Sequence, residues 1–130
     1  MSLLHVPVSY GELLDKITIL EIKSERIADP AKLANVRDEL QLLEATWRAH
    51  PASAGDIAAE RAALRAVNAA LWDIEDRIRE QERAQCFDDA FIALARAVYV
   101  RNDERAAIKR SINQKLGSRL VEEKSYQPYR

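Results

Sequence analysis

A chain of 130 residues, 48 % of them hydrophobic, can bury one sizeable core but not two, so one helical domain over residues 1–130 is expected. Twenty basic residues against 21 acidic ones leave a net charge of −1, which argues against nucleic acid or an anionic membrane surface as the partner. Cys86 is the only cysteine, so there is no internal disulfide, and with no run of about 18 apolar residues and no signal-peptide pattern at the N-terminus, a cytoplasmic protein is expected.

Three glycines and four prolines among abundant Ala, Leu, Glu and Arg favour helix throughout. The sequence therefore predicts an all-α antiparallel bundle of four main helices, at about 10–27, 30–49, 56–84 and 88–116, followed by an extended tail over 118–130.

In the first helix, Ser9 and Glu12 form a capping box, with Val8 and Leu13 at the positions of a hydrophobic staple. Leu13, Ile17, Leu20 and Ile27 share one stripe, while Ile19 and Ile22 face the other way. A helix apolar on two sides is buried on two sides. Its back is expected to be covered by the tail or by a second subunit.

Asp29 and Pro30 open the second helix as N-cap and first residue. Its apolar positions are Leu33, Val36, Leu40, Leu43 and Trp47, and His50-Pro51 ends it. The segment 51–56 reads as a loop, with Ser53 or Asp56 capping the third helix. That helix carries Ile57, Leu64, Val67, Leu71, Ile74 and Ile78 on one stripe.

Asp88 or Asp89 caps the fourth helix, whose stripe runs through Phe91, Leu94, Val98, Ile108, Ile112 and Leu116 to Gly117, a natural C-terminal cap. Val98–Val100 with Asn102 and Asp103 offer a place for it to break. In the tail, Leu120, Val121, Tyr126 and Tyr129 can pack back onto the bundle or onto a neighbouring chain.

Arg101 and Arg105 interrupt the fourth helix's apolar stripe and are expected to point inward. A buried guanidinium needs a carboxylate partner or a bound anion. Partner carboxylates are available at Glu21, Glu25 and Asp15. The anion alternative makes Arg101 and Arg105 a clamp for a phosphate, sulfate or carboxylate metabolite, lined by Lys16, Lys109 and Tyr126.

Other chemistry has little support. His5 and His50 lie far apart and Cys86 has no partner at ligand spacing, so neither a metal nor a cofactor is expected. The one-turn carboxylate pairs Glu21/Glu25 and Asp73/Asp76 are of the kind that holds Mg²⁺ in helical pyrophosphohydrolases, and charged helices generate such pairs routinely. No catalytic residue is assigned. The start of the first helix at Tyr10-Gly11 is the candidate for backbone phosphate binding.

Charge is also uneven along the chain. Residues 73–89 carry seven acidic and three basic side chains, and residues 96–119 carry seven basic and two acidic. Such asymmetry suits head-to-tail association or an acidic ligand. Together with the second apolar face of the first helix and the greater length of the last two helices, it leads to the expectation of a homodimer.

The segments VPVSYGELLDKITILEIKSERI, KLANVRDEL, RNDERAAIKRSIN and LGSRLVEEKSY resemble a family of small bacterial proteins of unknown function. The resemblance covers nearly the whole chain. It implies a small helical unit and brings no activity or catalytic residue with it. A weaker similarity is to the all-helical chorismate mutases, in which Arg101, Arg105, Lys16 and Arg26 would be the basic residues lining the site. From the residues alone, the leading expectation is a non-enzymatic interaction or assembly module with a protein partner, and the alternative is a site for a small anionic metabolite.

Overall fold

A computed structural model describes residues 2–129; Met1 and Arg130, the two ends of the expected domain span, lie outside the described residues. Four helices follow one another, α1 (Tyr10–Arg26), α2 (Pro30–Ala49), α3 (Ala58–Arg83) and α4 (Asp89–Leu116), with a short 3₁₀ turn at Pro51–Ala54. The all-α fold and the four helix positions match the sequence expectation to within about two residues, the margin within which helix ends are defined.

The caps explain most of these boundaries. Ser9 Oγ accepts the Glu12 N–H at 3.1 Å, Asp29 Oδ2 accepts the Lys32 N–H at 3.0 Å, and Asp88 Oδ1 accepts the Phe91 N–H at 3.2 Å. Gly117 closes α4 with φ at +69°, the left-handed conformation that costs a glycine nothing.

Two local expectations are corrected, and the fourth helix keeps its expected single span. The Glu12 carboxylate does not return to Ser9 to complete the capping box; it takes Lys109 Nζ at 2.9 Å, because a buried ammonium is the more demanding partner. Neither Ser53 nor Asp56 caps α3: its N-cap is Ile57, without a side-chain bond, and the Ser53 hydroxyl instead donates to the His50 carbonyl at 2.8 Å inside the 3₁₀ turn. Helix α4 runs unbroken through Asn102 and Asp103. It lies along both α1 and α3, and that packing outweighs the weak propensities of Val98–Val100.

The helices alternate in direction. Helix α4 is antiparallel to α1, with Gly11 beside Asn113 and Asp15 beside Arg105, and the start of α3 lies beside the end of α4, Glu60 against Lys115. Helix α1 packs on all three others. That central position accounts for its two apolar faces: Ile17 and Leu14 are fully buried on one side and Ile22 is nearly so on the other. The core joins Leu14, Ile17, Trp47, Ile57, Leu64, Val67 and Ile112.

Beyond Asp73, where Arg26 ends α1, α3 continues to Arg83, about 15 Å further at 1.5 Å per residue. Ile74 and Ile78 there, and Phe91 opposite on α4, are only half-buried.

Candidate functional site

The centre of the molecule holds a charged cluster inside the helical core. Asp15, on the buried side of α1, is 1 % exposed. Arg105 holds it at two points: Nε donates to Oδ1 at 2.9 Å and Nη2 donates to Oδ2. Asn68 from α3 divides its amide between Asp15 Oδ1 at 2.9 Å and Thr18 Oγ1 at 3.0 Å, and Thr18 in turn donates to the Asp15 carbonyl. Burial pushes the Asp15 carboxyl up, but the bonds from Arg105 and Asn68 and the charges of Arg105 and Lys109 outweigh it and hold the group below the usual carboxylate range. The bond to Asp15 likewise raises Arg105.

One turn along α4 stands Lys109, only 6 % exposed. Its ammonium donates to Glu122 Oε2 at 2.6 Å, lies 2.9 Å from Glu12 Oε2 and 4.0 Å from Asp15 Oδ2. Burial lowers its affinity for a proton, and the surrounding carboxylates more than restore it, so Lys109 stays charged. Beneath it the two helices touch: the Gly11 N–H donates to Asn113 Oδ1 at 2.8 Å, and a Cβ on Gly11 would stand 2.6 Å from the Lys109 carbonyl oxygen. Only glycine fits there.

The tail lies back along α4. Glu122 reaches Lys109, Glu123 takes both terminal nitrogens of Arg110 at 3.2 Å, and the Tyr129 ring meets Tyr99 edge-on at 4.8 Å. Between tail and helix lies a cleft of about 600 Å³, open along one side, with Tyr99, Tyr126, Tyr129, Asp103 and Glu104 in its walls.

The five residues singled out as an anion seat are placed as follows. Arg105 and Lys109 share Asp15 in the interior. Arg101 is exposed and bonds Glu104 on its own helix at 3.0 Å. Lys16 is exposed on α1, and Tyr126, 80 % exposed, stands in the tail cleft. The inward orientation expected of Arg101 is thus corrected. Leu94, Lys109, Ile112 and Asn113 are the buried side chains of α4, and at 100° per residue Arg105 lies roughly 20° and Arg101 roughly 60° from their mean direction.

Most of the remaining candidates are also engaged. Glu21 and Glu25 pair with Arg65, and Asp73 pairs with Arg26. The first amides of α1 are taken by Ser9 and Asn113. Among the described residues no three His, Cys, Asp or Glu side chains gather to hold a metal ion, and no helix is long and apolar enough to cross a membrane.

Sequence reasoning named Asp15, Arg105 and Lys109 but missed Thr18, Asn68, Asn113 and Glu122. Asn68 and Asn113 did carry a signal. Asparagine is a poor residue for a helix interior, and each stands beside a buried apolar residue, Val67 or Ile112. Glu122 carried none, since its role depends on the tail folding back.

The profile of a family of unknown function, DUF6165, matches residues 4–129. With nearly all of its length matched, this chain belongs to the DUF6165 family. No curated protein and no solved structure matches it.

Proposed function

We propose that this protein is a non-enzymatic interaction or assembly module of the bacterial cytoplasm, one helical domain that forms a homodimer and engages a protein partner. The observation that carries this reading is the two-point hold of Arg105 on Asp15. A carboxylate already fills the position a ligand anion would take, so the buried charges support the fold. Homodimer formation draws on the half-buried Ile74, Ile78 and Phe91 of the projecting α3–α4 end, which a second copy would cover.

The competing reading, a seat for a small anionic metabolite at Arg101, Arg105, Lys16, Lys109 and Tyr126, is favoured by Glu122. A tail carboxylate on Lys109 occupies the place that a metabolite phosphate or carboxylate would claim by displacing it. Thermal melts against phosphorylated, sulfated and carboxylate metabolites separate the two. A ligand present at 100 times its Kd adds about 2.7 kcal/mol, a shift of several degrees at this size. The interaction reading expects a flat panel together with a dimer mass in sedimentation equilibrium; a reproducible shift from one compound class overturns it.

A further inference from the structure

Resting on the interaction reading, we propose that the cleft between α4 and the tail receives an arginine or lysine side chain from a segment of a partner protein, seated over the Tyr126 ring with Asp103 as its counter-ion.

Three observations converge on this cleft. Its walls carry three tyrosines, and ring faces attract cations through their quadrupole. The Asp103 carboxylate is exposed in it with no hydrogen bond or ion pair among the described residues, whereas its neighbour Glu104 is engaged by Arg101. The chain already supplies an ammonium there: Lys124 Nζ stands 5.9 Å from the Tyr126 ring centre, and its ion pair among the described residues is with Glu122 at 3.9 Å. Lys124 thus shows the chemistry the site accepts, in a loose arrangement that a better-placed cation would improve.

The shape favours a chain segment over a free small cation. The cleft is open along its side, and past the Tyr99–Tyr129 pair the surface continues into a second depression, where Ala93, Ala97 and Val100 form the apolar part and Arg96, Arg101 and Glu104 the charged part, so only one cationic side chain of the segment is seated, over Tyr126. A peptide can place its cationic side chain over Tyr126 and lay small residues across that continuation. Tyr126 is rigid and amphipathic, the kind of side chain that anchors interfaces at low entropic cost.

The test is an NMR titration of the full chain with three peptides at low salt: Ac-Gly-Arg-Gly-Arg-Gly-NH₂, its lysine counterpart and its glutamate counterpart. The arginine and lysine peptides are expected to shift amides in 99–104 and 124–129, and the glutamate peptide to leave them unmoved. Asp103→Asn should weaken binding roughly twofold to fivefold, as for an exposed ion pair, and Tyr126→Ala by roughly the same factor. Both side chains are exposed, so both variants should melt with the wild type.

Absence of shifts with the arginine peptide at about 5 mM, the weak end of specific affinity, overturns the proposal. So do variants that bind as tightly as the wild type. Shifts of the same amides on raising protein concentration alone would give the cleft to a second copy of the chain and overturn the partner. If the peptides fail while the metabolite panel stays flat, the interaction reading survives and needs another surface; a metabolite shift removes that reading whatever the peptides do.

Discussion

Arg105 grips both carboxylate oxygens of Asp15 across the α1–α4 interface, ninety positions apart in the chain, with the carboxylate almost wholly removed from water. Arg105→Leu leaves that carboxylate with Asn68 and the more distant Lys109. Breaking a buried pair costs about 3–5 kcal/mol, and because the Arg105 side chain keeps 30 % of its exposure the expected loss is about 3 kcal/mol. Urea denaturation measures it. The double variant Asp15→Leu/Arg105→Leu should be more stable than Arg105→Leu alone, since it strands no charge.

Gly11→Ala tests the close approach of α1 to α4. Its Cβ would meet backbone, the Lys109 carbonyl, which has no rotamer by which to yield. A loss of about 1–3 kcal/mol is expected, although alanine is the better helix former. A melting midpoint at or above that of the wild type would show that the two helices can move apart freely.

Stability should be flat through neutral pH and fall at both extremes. Asp15 and Glu122 have folded-state pKa values below their ordinary ones, so their contribution is complete above about 4–5 and is lost as pH drops through the lowered values. Lys109 is raised; its contribution is complete below about 10 and is lost as pH rises through the raised value. Chemical denaturation across pH 2 to 11 reads both limbs. In Arg105→Leu the acid limb should move to higher pH, because Asp15 loses the bonds that lower it.

Glu122→Gln separates the tail's charge from its packing. Lys109 keeps Glu12 and Asp15 nearby and the glutamine oxygen can still accept its hydrogen bond, so a loss of about 1 kcal/mol is expected, the upper end for a partly exposed ion pair. Truncation after Gly117 also removes the Glu123–Arg110 pair and the Tyr129–Tyr99 contact, and should cost about 1–2 kcal/mol. Wild-type stability in the truncated chain would mean that the tail does not dock in solution.

Cys86 donates to Asp88 Oδ2 at 3.3 Å, and that bond to the nearby carboxylate raises the thiol pKa. Iodoacetamide should therefore alkylate Cys86 more slowly than free cysteine at pH 8, since the thiolate is the reactive form. Asp88→Asn should speed the reaction and leave α4 capped, because asparagine serves as an N-cap as well as aspartate does.

The helices were legible because their signals are local. Ser9, Asp29, Asp88 and Gly117 act on backbone groups within one turn, and apolar spacing repeats within each helix. The connection before α3 was legible and its cap was not, for a related reason: once Ser53 bonds back to His50 inside the 3₁₀ turn, it is no longer free to cap the next helix. What the sequence by itself determined is the number, position and type of elements, and that an inward-facing arginine of the last helix needs a carboxylate or a bound anion. Tertiary structure decided which arginine, which carboxylate, and what the tail does. Those depend on the rotation of α4 about its axis and on residues from different elements meeting, 13 positions apart for Lys109 and Glu122 and 102 for Gly11 and Asn113, and side-chain periodicity along one helix carries no record of either.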